Sequence, residues 1–312
     1  MTFVGIARSL IGLSSTANVR AAISSAEDVE VLAYTLARGP VLHALEAAAV
    51  RGAHVKIRLE GAPYGDPGGA LALDNRRIVA ELARCGADAR LAHTGPAGAS
   101  EAPVHAKALV ADRCLFLDDR NWGADDFVVA DTDADDLRSV MNAVDGNAPR
   151  DGTASAFAIQ KRGALAREAE LLATARPGDD VIVESESFGA SNPVCVALDK
   201  LGRRGLAPRL IVSAREAASN ERERKELMKL AGDGVSVRLT PSTEKFTLVA
   251  DRAWIGSANA SPAFGDPDMI DWGLCTGDRA IVDAARERVE ARWETARGLP
   301  AQPSKASTVQ QL

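Results

Sequence analysis

The chain has 312 residues, 46% of them hydrophobic and 26% charged, which is enough for two ordinary domains with substantial cores. Its net charge of -6 argues against a protein that coats nucleic acid, because counterion-releasing surfaces are basic, and 4% aromatic content advertises no base-stacking platform. Apolar runs fall short of the roughly 20 residues of a membrane-spanning helix and the start lacks a basic secretory segment, so a cytoplasmic protein without a transmembrane segment is expected.

In chain order, the first half reads as a strand at 29–34, an amphipathic helix at 40–51, a strand at 54–59, a helix at 71–85 closed by Gly86, and short strands near 88–93, 105–111, 114–117 and 127–130. The second half repeats the order, with strands near 181–186, 208–212, 235–239, 246–250, 253–256 and 272–276 and helices near 191–203, 216–230 and 278–296. Alternating strands and helices predict mainly parallel pairing with helices over the sheet. Glycine-rich stretches at 61–69 and 95–103 match neither a Walker nor a dinucleotide pattern and read as surface loops. The acidic run 131–136 reads as a helix N-cap and a charged face. Turn formers at 145–152 place a boundary between a lobe at 1–150 and one at 151–298, and 299–312 reads as a disordered tail.

The halves are copies. Leu109-Val110-Ala111-Asp112-Arg113 recurs as Leu248-Val249-Ala250-Asp251-Arg252, and the helix-to-strand passage 44–59 is echoed by 197–212. The four cysteines are scattered without a CxxC pair, which predicts reduced thiols, no metal site and no cofactor.

Chemistry concentrates at Val104-His105-Ala106-Lys107, ahead of the first copy of that string. Residues two apart on a strand project to one face, so His105 and Lys107 should point at one site. A neutral imidazole can attack phosphorus while an ammonium offsets transition-state charge on a non-bridging oxygen. The string from His105 through Lys107 to Asp112 has the form HxKxxxxD, and Gly256-Ser257-Ala258-Asn259 in the second half has the form GSxN. On these motifs and the duplication, the chain resembles the phospholipase D superfamily over nearly its whole length. The resemblance implies two duplicated α/β/α sandwich lobes related by an internal pseudo-twofold, with one site between them. It also implies a phosphohistidine on one histidine while a second, from the other lobe, handles the protons, and it places His105, Lys107 and Asp112 in the catalytic set.

The sequence departs from that pattern because all four histidines, His43, His54, His93 and His105, lie in the first half. Aligning the shared strings without a gap sets Glu244 opposite His105, as a candidate acid/base, and Phe246 opposite Lys107. A one-residue bulge instead aligns Thr243 and Lys245, making Lys245 a second phosphate clamp. Asp118 and Asp119 stand where the family has Gly and Ser, and a carboxylate repels a phosphodiester. Asn121, Ser257 and Asn259 are candidate substrate contacts, and Asp125 and Asp271 are candidate orienting acids for the histidine.

The expected function is metal-independent phosphodiester cleavage or phosphatidyl-type transfer on a phospholipid or nucleic acid by a monomer. The alternatives are a phosphate-binding protein without turnover, for which the missing histidine speaks, and a homodimer that brings two copies of His105 together.

Overall fold

The computed structural model describes residues 11–93, 102–147, 156–190, 192–241, 243–261 and 268–299. The boundary expected at 150 and all but the first residue of the expected tail lie outside them. The first lobe runs β1 (Gly12–Ser14), α1 (Thr16–Ser25), β2 (Asp28–Ala33), α2 (Pro40–Arg51), β3 (His54–Glu60), α3 (Ala70–Arg84), β4 (Asp88–Ala92), β5 (Lys107–Ala111), β6 (Cys114–Asp118), β7 (Val128–Asp131) and α4 (Ala134–Val144). The second runs β8 (Phe157–Gln160), α5 (Lys161–Ala173), β9 (Val181–Ser185), α6 (Pro193–Arg203), β10 (Arg209–Ser213), α7 (Ala214–Ser219), α8 (Glu221–Gly232), β11 (Ser236–Thr240), β12 (Phe246–Val249), β13 (Arg252–Gly256), β14 (Ile270–Thr276), α9 (Arg279–Thr295) and β15 (Arg297–Gly298).

Local chemistry sets the helix boundaries. Asp133 caps α4 by accepting from the backbone N–H groups of Asp135 and Asp136, and Asn192 caps α6 with Pro193 in its first turn. Gly52 ends α2 in the left-handed region at φ 93°, where a side chain would be strained.

The described strands form two sheets in the orders β1-β7-β6-β5-β2-β3-β4 and β15-β11-β10-β9-β12-β13-β14-β8. Read from β8, the second order repeats the first and adds β15 at the far edge. Pairing is mixed. β2, β3 and β4 are parallel, as are β9, β10 and β11, while β5, β6, β7 and β12, β13, β14 are antiparallel. The expectation of mainly parallel sheets fails because tight turns after Ala111 and Val249 join neighbouring strands as hairpins, which only antiparallel pairs allow.

Three cores follow. One packs α1, α2 and α3 on the outer face of the first sheet, and a second does the same for α5, α6 and α8 on the other sheet. The third joins the lobes: Ala108, Val110, Leu117 and Val129 meet Phe246, Leu248, Ile255 and Trp272, flanked by Val140 of α4 and Ile281 and Val289 of α9. Each large apolar side chain buried there contributes about 1.5–3 kcal/mol, so the lobes form one body.

The hairpins fix which residues of the lobes correspond. Asp112 and Ala250 both sit at φ 51°, and their N–H groups donate to Asp28 O and Asp180 O. Alternate residues of β5 and β12 face the shared core as Ala108 with Phe246 and Val110 with Leu248. Asp112 thus corresponds to Ala250, not to Asp251, and the identical five-residue strings lie one residue out of register. A one-residue slip exchanges the faces of a strand. It follows that Lys107 corresponds to Lys245, His105 to Thr243, and Ala106 to Glu244.

Candidate active site between the lobes

A cleft of about 310 Å³ opens where the carboxyl ends of β2, β9 and β10 meet the start of β5 and the approach to β12, and its walls include His105, Lys107, Asn121, Glu186, Thr243 and Lys245. Ligands of open α/β sheets bind beyond the carboxyl ends of their strands.

His105 lies two residues before β5 rather than inside it. Its N–H and that of Ala106 both donate to Ile270 O of the second lobe, at 2.8 Å each. Its Nδ1 is 2.7 Å from Oδ1 of Asp271, also in the second lobe. Ser257 Oγ donates to the same oxygen at 2.7 Å and accepts from Trp272 N at 2.9 Å. A carboxylate on Nδ1 fixes the tautomer that leaves the Nε2 lone pair free. Burial pushes the pKa of His105 down and Lys107 adds to the effect, outweighing the opposing pull of Asp271, so the ring is held neutral. Burial works against ionisation of Asp271, but His105, Lys161 and Lys107 outweigh it and hold its pKa below the usual carboxylate range.

Lys107 Nζ is 3.3 Å from His105 Nε2 and donates to His105 O at 2.7 Å. Burial, followed by repulsion from Lys245, pushes its pKa down to about 7. The Tyr34 ring forms the adjoining wall, edge-on to His105 with centroids 4.9 Å apart, and Lys107 Nζ lies 5.5 Å from its centre. Tyr34 Oη is occupied as acceptor from Tyr64 N at 2.7 Å. Asn121 faces the cleft with Oδ1 accepting from Thr35 Oγ1 at 3.0 Å, which leaves its Nδ2 as the donor. Lys245 Nζ is 3.7 Å from Glu186 Oε2, and both line the cleft.

Other expected residues lie elsewhere. Glu244 is buried and points away from the cleft into an ion-pair network with Arg288 and Arg292 of α9, and its N–H donates to Glu184 Oε1 at 2.8 Å. The ungapped register that made it an acid/base is off by one. Asp112 is exposed at the far end of β5, roughly 16 Å along the strand from Lys107 at about 3.3 Å per residue. Its Oδ1 accepts from Glu27 N and Asp28 N at 3.0 Å each, so it ties the hairpin to β2 and does not touch the cleft. Asp125 is exposed and meets Arg120 and Arg288 only through its backbone oxygen. The first-lobe counterpart of Asp271 is Asp126, which holds a turn by accepting from Asn121 N at 3.1 Å and Gly123 N at 2.6 Å. Ser257 orients Asp271, and Asn259 is buried beside it in sequence, outside the cleft lining.

Asp118 and Asp119 are fully buried and also absent from the cleft walls. Burial and the adjacent Asp119 push the pKa of Asp118 well up, and burial with Glu244 lifts Asp119 to about 7. The repulsion expected between this turn and a phosphodiester is therefore not aimed at the cleft. Asp119 accepts from Phe127 N at 2.9 Å, just as Ser257 accepts from Trp272 N, so the two are structural counterparts. Sequence reasoning missed Tyr34, Glu186 and Arg215. Had the repeat alignment been extended to strand ends, it would have found the first two, since each follows directly on a corresponding strand, β2 or β9.

No family model matches the sequence, and no curated protein matches it. Among solved structures, phosphatidylserine synthase from Haemophilus influenzae Rd KW20 is similar with a TM-score of 0.61 at 12% identity, covering 93% of this chain and 87% of that one. Polyphosphate kinase from Porphyromonas gingivalis is similar with a TM-score of 0.60 at 14% identity; 92% of this chain is covered, and the chain spans 50% of the length of that protein. The chain has a two-lobed phospholipase-D-like fold.

Proposed function

From a phospholipase-D-like fold with a single histidine in its cleft, we propose that the protein cleaves or transfers a phosphodiester through a phosphohistidine on His105. The observation that carries this reading is the bond between His105 Nδ1 and Asp271 Oδ1 at 2.7 Å across the lobes, with Nε2 facing Lys107 at 3.3 Å. His105 Nε2 attacks phosphorus, its lone pair forming the N–P bond while the bond to the leaving oxygen breaks. Asp271 stabilises the imidazolium that develops. Lys107, Lys245 and the Asn121 amide surround the non-bridging oxygens, where fixed cations and donors act strongly because little water competes. Arg120 and Arg215 extend the positive wall outward and suit a substrate with further negative charge, a phospholipid headgroup or a nucleic acid.

The test incubates wild type and His105→Ala with bis(p-nitrophenyl) phosphate in EDTA and weighs the intact protein. Wild type should release nitrophenol and carry a nitrophenylphosphoryl adduct on His105, and His105→Ala should do neither. Turnover by His105→Ala, or turnover that needs a divalent ion, refutes the reading. Phosphate binding by wild type with neither adduct nor turnover on nitrophenyl, lipid or DNA diesters makes the protein a binder.

A further inference from the structure

The second lobe has no histidine to serve the second half of such a reaction. Its residue in the His105 position is Thr243, whose hydroxyl is a poor proton acceptor at neutral pH. We infer that Glu186 takes over, as the general base that activates the water which releases the phosphoryl group from His105; this rests on the phosphohistidine reading above.

Three observations converge on it. Glu186 follows directly on β9, whose Glu184 pairs with Phe246 of β12, as Tyr34 follows directly on β2, whose Leu32 pairs with Ala108 of β5. By the correspondence of Phe246 with Ala108, Glu186 is therefore the counterpart of Tyr34. Tyr34 lies against the His105 ring, so Glu186 occupies the equivalent place beside Thr243, where the imidazole is missing. Secondly, Glu186 is the one carboxylate among the described residues lining the cleft, and it is 38% exposed, so water reaches it. Thirdly, its Oε2 lies 3.7 Å from Lys245 Nζ, and Lys245 is the second-lobe counterpart of Lys107. An in-line displacement needs the incoming oxygen on the side away from the bond that breaks, and the second lobe presents Glu186 and Lys245 to the cleft as the first presents Tyr34 and Lys107.

The other groups around the cleft do not fill the role. Lys107 sits beside Nε2, on the leaving side of the second step. Lys245, Arg120 and Arg215 are cations with donors and no acceptor for a proton, and the Tyr34 oxygen is engaged by Tyr64 N. Burial alone would raise the pKa of Glu186, but Lys245, His105, Lys107 and Arg215 outweigh it and hold the carboxylate below its ordinary range. Glu186 is thus ionised at neutral pH, as a base must be.

The proton balance is simple. In the first step the leaving oxygen takes a proton from solvent. In the second, a water O–H proton passes to the Glu186 carboxylate as the oxygen bonds to phosphorus. The N–P bond breaks and its electron pair returns to Nε2. Glu186 then releases the proton to solvent.

Glu186→Gln and Glu186→Asp are compared with wild type on bis(p-nitrophenyl) phosphate. Its good leaving group needs little protonation, so Glu186→Gln should keep a burst of one nitrophenol per chain, lose at least about 100-fold in steady turnover and accumulate the His105 adduct. Hydroxylamine, which attacks without a base, should discharge that adduct, and Glu186→Asp should recover part of the turnover. A folded Glu186→Gln that turns over like wild type refutes the role of Glu186 while leaving His105 intact. Loss of the burst in Glu186→Gln, with wild type active, also overturns the assignment, because the defect then precedes the adduct. Absence of adduct in wild type and both variants points instead to failure of the phosphohistidine reading itself.

Discussion

Replacing Asp271 with Asn isolates the contribution of the second lobe to the nucleophile. Asn keeps an oxygen where Ser257 donates, so the shape of the site survives, but the charge beside Nδ1 is lost. When His105 Nε2 bonds to phosphorus the ring becomes cationic, and its charge centre lies roughly 4 Å from the carboxylate, given the 2.7 Å contact between Nδ1 and Oδ1. Two unit charges at that separation interact by about 4 kcal/mol at an effective dielectric constant of about 20. At about 1.4 kcal/mol per decade, Asp271→Asn should slow adduct formation by about 10³-fold. Stopped-flow release of nitrophenol measures the step directly, and a melting temperature within a few degrees of wild type shows that the fold is kept. Asp125→Asn, whose side chain is exposed, serves as the matched control and should leave the rate unchanged. An Asp271→Asn rate within tenfold of wild type, in a folded protein, refutes the orienting role.

The pH dependence of kcat/KM should be bell-shaped. Its acid limb reflects His105, active when neutral; because burial and Lys107 depress its pKa, activity is lost only as pH falls below the ordinary range of about 6.5. Its alkaline limb reflects Lys107, needed as an ammonium; burial and Lys245 set its pKa at about 7, so activity falls as pH rises through that value. An alkaline limb near 10, or one unmoved in Lys107→Arg, contradicts the assignment. Away from the cleft, Arg292→Ala leaves the buried carboxylates of Glu184 and Glu244 without a shared partner and should cost about 3–5 kcal/mol, read as a lower denaturation midpoint. The His105 adduct should still form in the folded fraction.

The repeat and the strand–helix alternation were legible because hydrophobic period and turn residues carry them locally. His105 and Lys107 stood out through their two-residue spacing in the HxKxxxxD string ahead of the first repeat. The identical LVADR strings misled at the point that mattered. They compare side chains, whereas register is fixed by which residue occupies the left-handed turn, Asp112 in one hairpin and Ala250 in the other. Glu244 consequently read as a catalytic acid although its side chain faces α9. The four-residue strand β8 and the helix α5 were missed. β8 is too short to establish a period, and α5 buries Lys161 and Glu168, which blurs its apolar stripe. Asp271 was one of two candidate orienting acids, and its contact with His105 depends on packing between the sheets, which has no local signature.

The bonds from His105 N and Ala106 N to Ile270 O mean that the backbone carrying the imidazole is moored to a strand more than 160 residues later in the chain. A ribosome that has released only the first lobe has made a histidine without its carboxylate or its anchor. On the proposed chemistry, the site is complete only once the last third of the polypeptide has docked on the first lobe. Opening of the seam would take from His105 both the Asp271 contact and its backbone anchor together, so under the proposed mechanism the opened state should form no adduct.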